Sequence, residues 1–206
     1  MKLLVATRST HKVAEIRSIL ACIPDLELLD LDQAGIAPAA AEDALEPYST
    51  FEANARSKAS YFRRVSGLRT VADDSGLEVD ALNGEPGVHS RRFAPLPKRA
   101  SRAEQDAANN RQLLDRLAGV EPARRTARYV CVAALSEGEG RTMLFRGTAE
   151  GRILAVPRGT GGFGYDPLFL ADDLGTSFGE ASPEAKDEHS HRGKAFRALG
   201  AHLLRR

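Results

Sequence analysis

The sequence predicts an α/β protein with a mixed, twisted sheet flanked by helices, and three observations carry that reading. Short apolar runs recur along the chain and end in polar loops, as buried strands do. Between them lie segments with apolar residues at helical spacing, opened by hydroxyl residues and closed by glycine. One pair of runs is joined by a Gly-containing turn, so local strand pairing is mixed with strand–helix alternation.

Residues 3–6 form the first apolar run, and Val13, Ile16 and Leu20 place a helix soon after it. Residues 26–31 are a second strand, followed by an Ala/Pro-rich loop. Ser49 and Glu52 have capping-box spacing for a helix with the stripe Phe51, Ala55, Ala59 and Phe62, ending near Gly67. Residues 70–72 are a short strand expected to stop at Asp73-Asp74-Ser75-Gly76. A second capping box, Ser101 with Glu104, opens a helix carrying Ala107, Leu114 and Leu117 and closed by Gly119. Residues 128–135 and 142–148 form a hairpin across Glu137-Gly138-Glu139-Gly140. A Gly-rich segment at 159–164 leads into 165–170. Ser182-Pro183-Glu184 and Ser190 start the last two helices, with Phe196, Leu199 and Leu203 buried. No repeat or linker divides the chain, so one domain over 1–206 is expected.

Hydrophobic residues make up 42% and charged residues 28%, too apolar for disorder. The 29 Lys and Arg face 28 Asp and Glu, which argues against a long basic track for nucleic acid and favours a local pocket for a small anion. Cys22 and Cys131 lack metal-ligand spacing and read as two buried thiols in a reducing compartment. The N-terminal apolar run is interrupted at Thr7 and Arg8, too early for a signal peptide. No window approaches the roughly 20 apolar residues of a membrane span. A cytoplasmic protein without membrane or nucleic-acid partners is expected.

Four polar clusters carry the chemistry. Thr7, Arg8, Ser9, Thr10, His11 and Lys12 lie between a strand and a helix; they suit a phosphate, or simply cap the helix. Asn54 and Lys58 share a helix face, with Glu46 just before it; a solvated face is the bland alternative. Asp73 and Asp74 follow a buried strand and suit a hard divalent cation, although Asp, Ser and Gly also build plain turns. Adjacent carboxylates there repel unless a cation or a proton relieves them. Phe163, Gly164, Tyr165 and Asp166, with Lys186, His191 and Arg192, offer aromatic faces and donors for a base, or a flexible turn beside core aromatics. No nucleophile triad or zinc motif is present, which leaves hydrolysis by a positioned water.

Together these motifs resemble the inosine/xanthosine triphosphate pyrophosphatase family, the non-standard purine NTP diphosphatases. The resemblance rests on Leu4-Val5-Ala6-Thr7 through Lys12, Thr50-Phe51-Glu52-Ala53-Asn54-Ala55 with Lys58, and Ala72-Asp73-Asp74-Ser75-Gly76-Leu77. It continues through Pro86-Gly87-Val88-His89-Ser90-Arg91-Arg92, Gly162-Phe163-Gly164-Tyr165-Asp166-Pro167, Lys186 and Ser190-His191-Arg192-Gly193. Ser9 stands where the family usually has Asn, and Ala53 where it has Glu. The resemblance implies an elongated two-lobed fold with an inter-lobe cleft, a homodimer, and Mg²⁺. It implies a triphosphate grip by Thr7, Arg8, Ser9, Thr10, His11 and Lys12, and metal ligation by Glu46 and Asp74. It makes Asp74 the general base, with Ser75, Lys58 and Lys186 at the phosphates or supporting the site. Phe163, Gly164, Tyr165 and Asp166 would pack around the base, and His191 and Arg192 would read it. The implied reaction releases pyrophosphate from ITP, dITP or XTP. A pyrophosphatase for modified pyrimidine nucleotides and a silent nucleotide sensor are the competing readings.

Overall fold

The sheet is where the sequence and the fold meet most directly. In the computed structural model, which describes residues 1–97, 99–138 and 140–205, six strands form one sheet. They are β1 (Lys2–Val5), β2 (Glu27–Leu29), β3 (Thr70–Val79), β4 (Thr126–Gly138), β5 (Arg141–Ile153) and β6 (Phe169–Ala171), in the order β2-β1-β3-β4-β5-β6. β1 pairs in parallel with both β2 and β3, and β5 pairs antiparallel with β6, so the sheet is mixed as expected. The helices are α1 (Thr10–Leu20), α2 (Phe51–Ser66), α3 (Arg102–Arg116), α4 (Pro183–His189) and α5 (His191–Leu204).

The chain divides into two compact units. The first holds residues 1–74, 131–147 and 191–206, and the second holds 75–130 and 148–190. Each has its own core. In the first, Leu3, Val5 and Val71 of the sheet pack with Ile16 and Leu20 of α1 and Phe196, Leu199 and Leu203 of α5. In the second, Leu77, Tyr129, Ile153, Phe169 and Phe178 pack with Leu113 and Leu117.

Strand order places the site. β1 is followed in sequence by β2 on one side and, later, by β3 on the other, so the chain reverses direction across the sheet at β1. Crevices at such switch points, beyond the carboxyl ends of the strands, are where open α/β sheets bind ligands. The register aligns Val5 with Val71, which brings the loop after β1 alongside Asp73 and Asp74.

Several elements differ from expectation for physical reasons. β3 does not stop at the acids; it runs through Asp73, Asp74, Ser75 and Gly76. α2 is capped by Thr50, whose side chain accepts from the Ala53 N–H, and not by Ser49. With Thr50 as the cap, the third helical position is Ala53, so Glu52 falls one residue short of a capping box and pairs with Arg146 at 2.6 Å instead. Gly67, left-handed at φ 69°, closes α2 as expected. The Ser101–Glu104 capping box holds, but the buried stripe of α3 is Ala108 and Leu113, with Ala107 exposed. β2 is shorter than its apolar run, and the hairpin strands β4 and β5 are longer than theirs. Of the turn between them, Glu139 lies outside the described residues. Cys131 is buried, but Cys22, beyond the end of α1, is exposed.

Gly147 in β5 is required by close approach. A Cβ there would lie 2.2 Å from the His191 carbonyl oxygen at the start of α5. Gly147→Ala is expected to cost about 2 kcal/mol or more through overpacking, seen as a Tm lowered by roughly 4 °C or more. Gly138→Ala, where a Cβ meets nothing within 4 Å, is expected to leave Tm within about 2 °C. Equal Tm values for the two variants in a thermal melt would contradict this packing.

Candidate active site

The loop after β1 begins the site. The Thr7 hydroxyl accepts from the Ser9 N–H, and the Ser9 hydroxyl accepts from the Lys12 N–H as the cap of α1. Ser9 thus caps the helix in the position where the amide was expected. Thr10 and His11 are exposed on the first turn of α1, whose N-terminus presents donors and a partial positive charge. Lys12 reaches back to the sheet, with Nζ 2.9 Å from Asp73 Oδ2. Arg8 is placed otherwise than expected. Its guanidinium donates to both Glu42 carboxylate oxygens at 3.1 and 2.8 Å, to the Ile36 carbonyl at 2.9 Å, and more distantly to Asp32 at 3.4 Å. A fork spent on protein acceptors is a poor phosphate ligand, so Arg8 leaves the triphosphate grip.

Asp73 and Asp74 are both buried, yet their side chains part because successive strand residues face opposite sides of the sheet. Asp73 lies on the side of α1 and α5. Its Oδ2 receives Lys12 and the Arg192 Nη2 at 3.3 Å, with the Cys131 thiol at 3.8 Å. Arg192, 1% exposed, also donates to Glu15 Oε2 at 2.6 Å. Two carboxylates thus meet two cations. Burial alone would raise the Asp73 carboxyl; Lys12, Arg192 and Lys58 outweigh it and hold the group far below the usual carboxylate range. Burial and the nearby Asp73 push the Cys131 thiol up to about 12, so it stays a thiol. His191 is buried beside Arg192 at the start of α5.

Asp74 faces α2. Lys58 Nζ lies 3.2 Å from Asp74 Oδ1 and 2.6 Å from Glu46 Oε1, bridging the two carboxylates. Asn54 donates to Asp74 Oδ2 at 3.1 Å and to the Tyr48 carbonyl, while its own oxygen accepts the Tyr48 N–H. The alternative reading of a solvated α2 face does not hold: Asn54 is buried and Lys58 is paired with two carboxylates. Burial would lower the Lys58 ammonium, but Asp74 and Glu46 hold it above its usual value. Burial raises the Asp74 carboxyl despite Lys58 and Lys12, with Glu46 adding to the rise.

These residues fit a divalent cation. One ammonium shared by two carboxylates leaves that triad with a net negative charge. Mg²⁺ takes one or two protein carboxylates and fills its other positions with water and substrate phosphate oxygens. Among the described residues no group of three or more His, Cys, Asp and Glu side chains is disposed to hold a metal, so a full protein cage is absent there.

The second unit builds a separate cluster. Lys186 Nζ lies 2.7 Å from Asp166 Oδ2 and 4.8 Å above the Phe163 ring. The same carboxylate accepts the Phe163 N–H at 2.8 Å. Gly162, at φ 71°, permits this: a Cβ there would lie 2.1 Å from the Asp166 carboxylate. The Gly164 N–H donates to Asp106, and its carbonyl accepts from Asn110. Phe163 is half-buried, whereas Tyr165 is buried in the core with its hydroxyl donating to the Ser90 carbonyl. Ser75 is half-buried in β3, directly after Asp74.

Comparison with known proteins now decides the family. The Ham1 family model matches residues 3–202. The chain belongs to the Ham1 family. It is 45% identical over 205 residues to a dITP/XTP pyrophosphatase of Exiguobacterium sibiricum, covering 98% of this chain and 97% of the relative. A dITP/XTP pyrophosphatase of Geobacter sulfurreducens is 44% identical over 202 residues, covering 98% and 96%. Among solved structures, a HAM1 protein from Coxiella burnetii superposes with TM-score 0.85 at 33% identity over 100% of both chains. A nucleoside-triphosphatase / dITP/XTP pyrophosphatase from Mycobacterium abscessus gives 0.73 at 39% identity, covering 98% of this chain and 99% of that one.

Within this Ham1 chain, Thr7, Ser9, Thr10, His11, Lys12, Glu46, Lys58, Asp74, His191 and Arg192 fall in the first unit, as does Arg8. Ser75, Phe163, Gly164, Tyr165, Asp166 and Lys186 fall in the second. Sequence reasoning did not assign roles to Glu15 or give Asp73 partners of its own, and it left Asn54 outside the site. The i, i+4 spacing of Asn54 and Lys58 was the available signal; nothing local marks Glu15, whose partner lies 177 residues away.

Removing the Asp73 charge leaves Lys12 and Arg192 buried with too little anion. Asp73→Asn is expected to cost about 3 kcal/mol or more of folding stability. A denaturant titration showing a loss under about 1 kcal/mol would contradict the balanced pairing.

Proposed function

We propose that the chain is a Mg²⁺-dependent pyrophosphohydrolase that converts the non-standard purine nucleotides ITP, dITP and XTP to their monophosphates and pyrophosphate. The activity class is in keeping with the dITP/XTP pyrophosphatases to which it is similar. The observation that carries the mechanism is the bridge of Lys58 between Glu46 and Asp74. A cytoplasmic homodimer belongs to the same proposal; no described helix is long and apolar enough to cross a membrane.

Thr7, Ser9, Thr10 and His11 offer hydroxyl, imidazole and backbone groups to the triphosphate at the start of α1. Lys12 spends one of its three N–H donors on Asp73 and directs positive charge toward phosphate with the rest. Glu46 and Asp74 would hold Mg²⁺, and the ion would supply neutralisation of phosphate charge and polarisation of the phosphoryl group. Asp74 accepts the proton of the attacking water. Asn54 and Lys58 fix the plane of that carboxylate, so the accepting lone pair is aimed before substrate arrives. The water oxygen bonds to the α-phosphorus, the bond from that phosphorus to the α–β bridging oxygen breaks, and pyrophosphate leaves with the electron pair. Ser75 and Lys186 support the phosphates and the site in this proposal.

For the base, Phe163 has a cation on its ring and a backbone fixed by Asp166, so it offers a rigid aromatic face. Gly164, Tyr165 and Asp166 shape that segment. His191 supplies the donor for a 6-oxo group, which in ATP would face another donor. Arg192, expected to read the base as well, is buried with its guanidinium on Glu15 and Asp73 and instead holds the start of α5 that carries His191.

Asp74→Asn keeps the volume but loses both the charge and the proton acceptor. Its kcat for pyrophosphate release from ITP is expected to fall at least about 10²-fold. Assayed on ITP, XTP, dITP, ATP and GTP with and without Mg²⁺, the native enzyme should favour the first three and stop in chelator. Orthophosphate as product, or a mutant within a few-fold of native, would overturn the assignment.

A further inference from the structure

About twenty residues separate β2 from α2, longer than most structureless connections, and long loops of that size usually serve a function. One short 3₁₀ turn, Ala40–Ala44, interrupts this segment, and Glu46 follows it after Leu45. Such a loop has large conformational freedom unless it is tied down.

The ties are specific. Arg17 of α1 holds Asp30 at 2.8 Å and Gln33 at 2.6 Å near the segment's start. Asn54 and Lys58 of α2 hold Tyr48 and Glu46 near its end. Between these, Arg8 is the tie: four of its N–H groups go to Glu42, Ile36 and Asp32. Glu42 also accepts the Ala39 N–H, which anchors the start of the 3₁₀ turn. The Arg8–Glu42 contact is a two-pronged guanidinium–carboxylate pair, the geometry that constrains orientation as well as distance. It joins the loop that precedes α1, the helix that carries Lys12, to the segment that carries Glu46.

We propose that Arg8 and Glu42 form a clamp that positions Glu46 for metal binding, so that both are positioning residues in pyrophosphate release and neither touches substrate. The inference rests on the assignment of Glu46 to Mg²⁺. Partners that orient a metal ligand without touching the metal commonly govern affinity for the ion. The clamp therefore acts on the Mg²⁺ requirement first and on the chemical step little.

The test compares native enzyme with Glu42→Ala, Arg8→Ala, the double variant and the isosteric Glu42→Gln, which carries the test should the alanine variants not fold. Three readouts are taken: hydrogen exchange of residues 36–47, the Mg²⁺ concentration for half-maximal pyrophosphate release, and kcat for ITP at saturating Mg²⁺. Each single alanine variant should exchange faster across 36–47 and raise the Mg²⁺ midpoint by about ten-fold. The double variant should be no worse than either single one, as for two halves of one contact. For Glu42→Ala, kcat at saturating Mg²⁺ should fall by less than about three-fold. An unchanged midpoint in Glu42→Ala or Glu42→Gln, or additive losses in the double variant, would overturn the clamp. So would a rise in KM for ITP confined to Arg8→Ala, which would make Arg8 a substrate contact. Native turnover that needs no Mg²⁺ would instead sink the metal assignment itself, and is read from the native enzyme alone.

Discussion

Two buried carboxylates side by side in one strand are the constraint on which the first unit depends. Neighbouring charges in a low-dielectric interior would drive one another to protonate. Strand geometry resolves this by sending Asp73 and Asp74 to opposite faces of β3, where each meets its own lysine. On one face Lys12 and Arg192 balance Asp73 and Glu15, and the result is a buried strut linking α1, β3 and α5. On the other, Lys58 is shared by Asp74 and Glu46, and the result is a site with charge left over for a cation. The two faces differ in charge balance, and the proposed metal site rests on that difference.

The topology makes the arrangement possible. Because β1 lies between β2 and β3 and runs parallel to both, the loop after β1 opens beside the acids of β3. The helix that follows β1 brings Lys12 to one face, and the helix that precedes β3 brings Asn54 and Lys58 to the other. The Arg8–Glu42 pair then ties the intervening loop to this frame. Lys12, Asp73 and Arg192 are held by α1, β3 and α5, whose burial is secured by a shared apolar core.

Much of this was legible from residue order. The apolar stripe of α2, its closing Gly67, the capped start of α3 and the buried face of α5 follow from spacing alone. What was not legible has a common cause, namely partners distant in sequence. Asp73-Asp74-Ser75-Gly76 reads locally as a turn but is strand, with Asp73 paired to Lys12 and Arg192, 61 and 119 residues away. Arg8 reads as a phosphate ligand, since nothing in the loop announces Glu42, 34 residues on. Asn54 reads as a surface amide until Asp74 and Tyr48 close around it. Ser49 and Thr50 are adjacent hydroxyl residues, and the one that meets an N–H of the first turn is Thr50.

The central claim is that the Asp74 face, and not the Asp73 face, receives the metal. Anomalous diffraction from crystals grown with Mn²⁺ and a non-hydrolysable ITP analogue tests it most directly. The account predicts a manganese peak in direct coordination to the carboxylates of Glu46 and Asp74, with Asp73 still paired to Lys12 and Arg192. A peak coordinated by Asp73, or one that touches neither Glu46 nor Asp74, would contradict it.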